Sequence, residues 1–187
     1  MAITLLDPQT ALIVVDLQKG LMDAPFIHPI GDVVENARLL AKEFRRRGLP
    51  VVLVNVSGGA PGRTERPPRI RAFPEGGADL IPELDQQPGD LLVTKRTWGA
   101  FAGTDLEARL KALTVTGVVI AGVATATGVE STARQAYELG LNVALALDAM
   151  TDARREAHDY AIANIFPRLG ETGSTQDILD QLELRSA

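Results

Sequence analysis

Five short apolar runs punctuate the chain: residues 11–15 (ALIVV), 51–56 (VVLVNV), 91–94 (LLVT), 118–123 (VVIAGV) and 143–147 (VALAL). They are often β-branched and do not alternate with polar positions, the pattern of strands covered on both faces and hence of a parallel sheet. Between them, apolar residues recur at helical spacing. Val33, Ala37, Leu40, Ala41 and Phe44 share one face, and Gly48 stops that helix. Thr104 and Glu107 form a capping-box pattern around the start of a helix carrying Leu106, Leu110 and Leu113. Thr132, Ala133, Ala136, Tyr137 and Leu139 carry the next, stopped by Gly140. Ala157, Ala161, Ile162, Ile165 and Phe166 carry another, ended by Pro167. Ser174 caps a last helix through Ile178, Leu179 and Leu182. Strands alternating with helices predict right-handed crossovers and a three-layer α/β/α sandwich around a mostly parallel sheet. The length, 187 residues, suits one domain over 1–187.

Ligands of such folds bind beyond the carboxyl ends of the strands. That rule singles out Asp16, Asn55, Lys95 and the segment 123–128. Asp16 ends an apolar strand and reads equally as a cap and as a ligand-facing carboxylate. Lys95 is followed by Trp98, Gly99, Phe101 and Gly103, and aromatics among glycines suggest a tight, walled turn. A lysine beside Asp16 would lower the pKa of that carboxyl, whereas burial would raise it. The segment AGVATATGVESTARQA runs from a buried strand through small residues into a helix. It reads either as tight strand–helix packing or as a helix start offering N–H groups to an oxyanion. Residues 57–77, with Arg63, Arg66, Arg69 and Arg71, form an unusually long loop, of a kind that is functional or disordered.

Composition narrows the chemistry. There is no cysteine, which removes disulfides, thiolate metal sites and a catalytic thiol. Two histidines, His28 and His158, are too few for a metal site of several imidazoles, and neither a metal nor another cofactor is expected. A net charge of −5 argues against nucleic acid or an anionic membrane as partner. No apolar run approaches a membrane span, and the amino terminus lacks signal-peptide character, so the expected location is cytoplasmic. His158 lies on the polar side of a charge-rich helix and is read as solvated. His28 precedes Pro29 in the loop after the first strand and is read first as structural, second as a ligand contact.

The blocks IVVDLQ, VTKRTWGAFAGTDLEARL and GVATATGVESTARQAYELGLNV resemble, in this order, the three signature blocks of the isochorismatase-like, or cysteine hydrolase, superfamily. The likeness runs from Thr4 to about Leu182. It implies a Rossmann-like sandwich, a cis peptide at Val123–Ala124, a homo-oligomer (dimer or larger) and a small-molecule substrate. Most members use an Asp–Lys–Cys triad. Asp16 and Lys95 match the first two, and the cysteine position falls on Gly128. Acyl-enzyme chemistry needs the thiol, and Thr127 or Ser131 would be displaced from its place. Members that cleave a vinyl ether resemble this chain in carrying glycine there, although they usually have histidine where Ala126 stands and often a larger residue than Ala124. The resemblance therefore implies a hydrolase with Asp16, Lys95 and Gly128 at its catalytic centre and Gln18, Trp98, Phe101, Ala124 and Thr125 as substrate contacts. Two other readings stay open: a catalytically silent member that binds a small molecule or serves as an assembly subunit, and an amidase inactivated by engineering.

Overall fold

The computed structural model describes residues 3–66 and 73–184. Six strands, β1 (Thr10–Val15), β2 (Val51–Val56), β3 (Leu91–Lys95), β4 (Gly117–Val123), β5 (Asn142–Thr151) and β6 (Glu171–Gly173), form one sheet in the order β3-β2-β1-β4-β5-β6. Every pair of neighbouring strands is parallel. The helices are α1 (Ile30–Arg46), α2 (Leu106–Ala112), α3 (Glu130–Glu138), α4 (Arg155–Tyr160) and α5 (Thr175–Leu184). Among the described residues no helix is long and apolar enough to cross a membrane.

The unbroken apolar runs have the cause that periodicity implied. Leu12, Val14, Leu53, Val119 and Ala121 pack on one face against Val33, Ala37, Leu40, Ala41 and Phe44 of α1 and Ile178 and Leu182 of α5. Ala11, Ile13, Val15, Val52, Val54 and Ile120 pack on the other against Leu106 and Leu110 of α2 and Ala133 and Ala136 of α3. Alternate residues along β1, β2, β4 and β5 thus feed two cores, whereas the edge strand β3 buries Val93 on one side and leaves Leu92 and Thr94 exposed on the other.

The helix ends mostly follow their punctuation. Gly48 adopts φ +68° just past α1. Ser174 and Asp177 bond reciprocally at the start of α5: Ser174 N–H donates to Asp177 Oδ2 at 2.7 Å, and Asp177 N–H to Ser174 Oγ at 3.1 Å. Other expectations need correction. Leu113, Tyr137 and Leu139 lie in solvent, because α2 and α3 are short and these residues fall at or beyond their last turns. After α4 the chain passes through a π-turn (Ala161–Ile165) and a 3-10 turn (Phe166–Arg168), so Pro167 sits inside the final turn instead of beyond it. The short edge strand β6 has no counterpart in the predicted elements. Arg63 and Arg66 are exposed, while Arg69 and Arg71 lie outside the described residues.

The strand order positions the site. The chain lays β1, β2 and β3 outward in one direction and then crosses to place β4 on the other side of β1. The crevice therefore opens beyond the carboxyl ends of β1 and β4, where the order reverses. Gly122, at φ +109°, permits the close approach: a Cβ there would lie 2.0 Å from Val15 O.

Candidate active site

Asp16 follows β1 directly and takes φ +54°, a left-handed conformation that a non-glycine residue adopts at a cost of order 1–3 kcal/mol. Its N–H donates to Val54 O at 2.9 Å, which ties the turn to β2. Lys95, the last residue of β3, reaches beneath it, and Nζ donates to Asp16 Oδ2 at 2.7 Å and to Thr97 O at 3.1 Å. Both are deeply buried, at 5 % and 2 % exposure. Among the described residues, Asp16 Oδ1 has no hydrogen-bond partner.

Two opposed effects act on this carboxyl. Burial pushes it up, and the charge and hydrogen bond of Lys95 pull it down; burial wins, and the pKa lies at about 6. At pH 7 about one tenth of such a carboxyl is protonated, against roughly one thousandth of an exposed aspartic acid. Among the described residues no hydroxyl is bonded to either Asp16 or Lys95. Thr127 Oγ1 donates instead to Ala124 O at 3.4 Å, and Thr132 Oγ1 to Gly128 O at 2.7 Å.

The third wall comes from β4. A cis peptide joins Val123 and Ala124, as the resemblance implied, and a π-turn (Thr125–Val129) leads into α3. This turn brings Gly128 over the carboxyl. A Cβ on Gly128 would lie 3.2 Å from Asp16 Oδ2, 3.0 Å from Val15 Cγ1 and 2.9 Å from Val123 O. Bare backbone thus faces the acid, and the space a side chain would need is already filled. Asp16, Lys95 and Gly128 meet in one place, each delivered by a different strand end.

The other sequence-selected residues divide. Gln18 is fully buried and bonded to main chain: Nε2 donates to Val56 O and Gly77 O, each at 3.1 Å, and Oε1 accepts from Val56 N–H at 2.7 Å. In this structure it is an anchor for the chain returning at 77–80, not an open ligand contact. Asn55 has the same task, donating to Ala78 O at 2.7 Å. Phe101 is packed in the core beneath α3, its N–H bonded to Gln135 Oε1 at 3.0 Å. Trp98 is 68 % exposed, so within one chain it does not wall the turn. Ala124 is half-buried and Thr125 fully buried.

His158 is the clearest departure. Expected in solvent, it is only 5 % exposed, and its Nδ1 shares a 2.8 Å hydrogen bond with Thr125 Oγ1. Its ring stands edge-on to that of His28, with centroids 4.9 Å apart. His28 Nδ1 in turn bonds Thr151 Oγ1 at 3.1 Å. Burial, with His28 next, lowers the pKa of His158 from its ordinary value, which favours the neutral imidazole. Sequence reading also missed Asp152, a buried carboxylate that accepts the Ala126 N–H at 2.9 Å. Among the described residues no three His, Asp or Glu side chains converge as a metal-binding group.

Comparison with known proteins bears on this arrangement. A family model described as the isochorismatase domain matches residues 10–177. The isochorismatase family protein YwoC of Bacillus subtilis is 40% identical over 182 residues, covering 94% of this chain and 95% of its own. A ureidoacrylate amidohydrolase, RutB of Pseudomonas syringae, is 30% identical over 200 residues, covering 90% of this chain and 82% of its own. Among solved structures, an isochorismatase family protein from Burkholderia thailandensis superposes with a TM-score of 0.93 at 39% identity, covering 97% of this chain and 100% of that one.

Proposed function

We propose that this chain, which belongs to the isochorismatase family, is a hydrolase acting on a small metabolite by proton donation from Asp16, without a covalent intermediate. The observation that carries the reading is the Asp16 carboxyl itself: buried, with its pKa raised to about 6, one oxygen held by Lys95 and the other without a partner among the described residues. Gly128 stands where the resemblance puts the nucleophile of other members, and the chain has no cysteine to take its place. A thiolate acyl-enzyme route to amide hydrolysis is therefore closed to this chain.

Vinyl-ether hydrolysis fits these groups. The protonated Asp16 donates its proton to the terminal carbon of the C=C bond, and the ether-bearing carbon becomes an oxocarbenium centre. Water adds to that carbon and returns a proton to the Asp16 carboxylate. The resulting hemiketal collapses by breaking the original C–O bond, giving a ketone and an alcohol. Lys95 remains an ammonium ion throughout, fixes Oδ2 and stabilises the carboxylate once the proton has left. Isochorismate is one substrate of this type.

A reaction that needs protonated Asp16 has a defined pH profile. With the pKa at about 6, kcat/KM is expected to be level below that value and to fall about tenfold per pH unit above it. Both effects that lower this pKa come from Lys95. In Lys95→Met the falling limb should therefore move to higher pH, while the overall rate drops because the carboxylate left by proton transfer loses its counter-charge. A profile that rises through pH 6 would show Asp16 acting as a base and overturn the scheme.

The same reading includes self-association. Trp98 is exposed beside the site, and the 25–30 loop with the described parts of 57–77 are the proposed contacts that close it. Light scattering at micromolar concentration should give at least a dimeric mass; a monomeric mass contradicts this part.

A further inference from the structure

The two histidines of the chain meet next to the site, yet neither touches Asp16 or Lys95 in any bond of the scheme above. They belong to a polar cluster built from four segments. His28 comes from the loop before α1, Thr151 and Asp152 from the end of β5, His158 from α4, and Thr125 from the turn after β4. The loop before α1 is joined to β5 by Ile27 N–H donating to Asp152 O at 2.9 Å. Asp152 holds the next segment as well, accepting Arg154 N–H at 3.1 Å and Ala126 N–H at 2.9 Å through its two carboxylate oxygens.

The turn at 124–128 is thus pinned from behind at two adjacent residues: Thr125 by His158 and Ala126 by Asp152. On its far side it is pinned once more, where Thr132 Oγ1 donates to Gly128 O at 2.7 Å and accepts Ala100 N–H at 3.2 Å. Between these ties, Gly128 packs against Asp16, where a Cβ would lie 3.2 Å from Oδ2, and the carboxyl is buried. The side-chain tie is the Thr125–His158 bond. Both partners are buried, so breaking the bond leaves a polar group without water or partner, and the turn must shift to admit one.

The groups around His158 favour its neutral form on balance. Burial and the neighbouring His28 lower its pKa, as does Arg155; Asp159 and Asp152 act the other way. A neutral imidazole keeps the single shared bond to the Thr125 hydroxyl and brings no second positive charge toward Lys95 and Asp16.

We propose that His158 is a positioning residue of the active site, whose bond to Thr125 holds the 124–128 turn over Asp16 and keeps that carboxyl buried. The proposal deepens the assignment of Asp16 as the acid, and its test does not depend on a substrate. The ionisation of Asp16 can be followed by carbon NMR of protein labelled at the aspartate carboxyls, with the Asp16→Asn spectrum identifying the signal. In the unaltered protein the midpoint should lie near 6. Thr125→Val removes the hydroxyl at nearly constant volume, and the midpoint is expected to fall by about one pH unit or more as water reaches the carboxyl. Thr125→Ser restores the hydroxyl and should restore the midpoint. The matching pair on the other partner is His158→Leu, which should lower it, and His158→Asn, which keeps a hydrogen-bonding atom near the Nδ1 position and should not.

A folded Thr125→Val protein with an unmoved midpoint would overturn the proposal, as would a serine variant as low as the valine one. Should the valine variant fail to fold, the histidine pair decides on the same terms: equal midpoints in Leu and Asn variants overturn it. A midpoint near 6 in a protein that hydrolyses nothing would sink the hydrolase reading and leave this positioning role standing.

Discussion

Asp16→Asn should lower kcat/KM by about 10²–10⁴-fold, the span that a positioned general acid contributes. The amide has no acidic proton to give, so the loss falls on the chemical step and should appear in kcat. Its carbonyl oxygen can still accept the Lys95 ammonium that now bonds Asp16 Oδ2 at 2.7 Å. The variant does remove the counter-charge of a lysine that is 2 % exposed. Breaking such a pair by deleting one partner can cost about 3–5 kcal/mol, so circular dichroism melting belongs beside the kinetics. A folded variant that keeps turnover would remove Asp16 from the role of acid. A variant that is slow only because it is unfolded will show so in the melt.

The second large effect concerns a residue with no side chain. Gly128→Ala places a Cβ 2.9 Å from Val123 O, closer than real Cβ atoms come to backbone oxygen, and 3.0 Å from Val15 Cγ1. Neither neighbour is the end of a flexible chain, so the turn or β1 has to move. Overpacking of this kind costs about 1–3 kcal/mol, which for a chain of this size lowers the melting temperature by roughly 2–12 °C. The same Cβ would sit 3.2 Å from Asp16 Oδ2, and displacing the turn by even a fraction of an ångström disturbs the acid. kcat/KM should fall at least about tenfold. Gly128→Cys carries the same Cβ and a sulfur beyond it, and should be no better at the native reaction. Alanine and cysteine variants that match the unaltered protein in rate and melting would show that the glycine is incidental.

The sheet was legible because β1, β2, β4 and β5 are largely covered on both faces; the edge strand β3 departs from that expectation and leaves Leu92 and Thr94 exposed. Continuous runs such as 11–15 and 118–123 leave no other arrangement for parallel strands joined by helices. The edge strand β6 was not, since three residues including Glu171 and Thr172 carry no apolar pattern. Asp16 and Lys95 could be found from position alone, each standing at a strand end in a fold that binds ligands there. Their mutual geometry could not, because the balance between burial and ion pairing depends on distances that residue order does not contain.

His158 was misread for a local reason. Its charged neighbours Arg155 and Asp159 suggested a solvated face, but residues 161, 162 and 165 lie three, four and seven positions further on and belong to the apolar stripe. Helical phase therefore puts His158 on the stripe, and that signal outranks the charge of its neighbours. Gln18 has a structural task that residue order did not show. Given as a substrate contact by the resemblance, it is buried and holds Val56 and Gly77. Long loops need internal partners for their backbone groups, and a buried amide with a donor and an acceptor supplies them.

The most direct test is a product-release assay of the unaltered protein against small enol ethers, including isochorismate, and against esters and amides of similar size. The account predicts that an enol ether is cleaved, with a rate that falls above about pH 6 and with no protein adduct visible by mass spectrometry during turnover, while the amides are left intact. Hydrolysis of an amide, or a covalent adduct on the protein, would contradict it. So would binding of these ligands without any turnover, which is the behaviour of a catalytically silent member of the family.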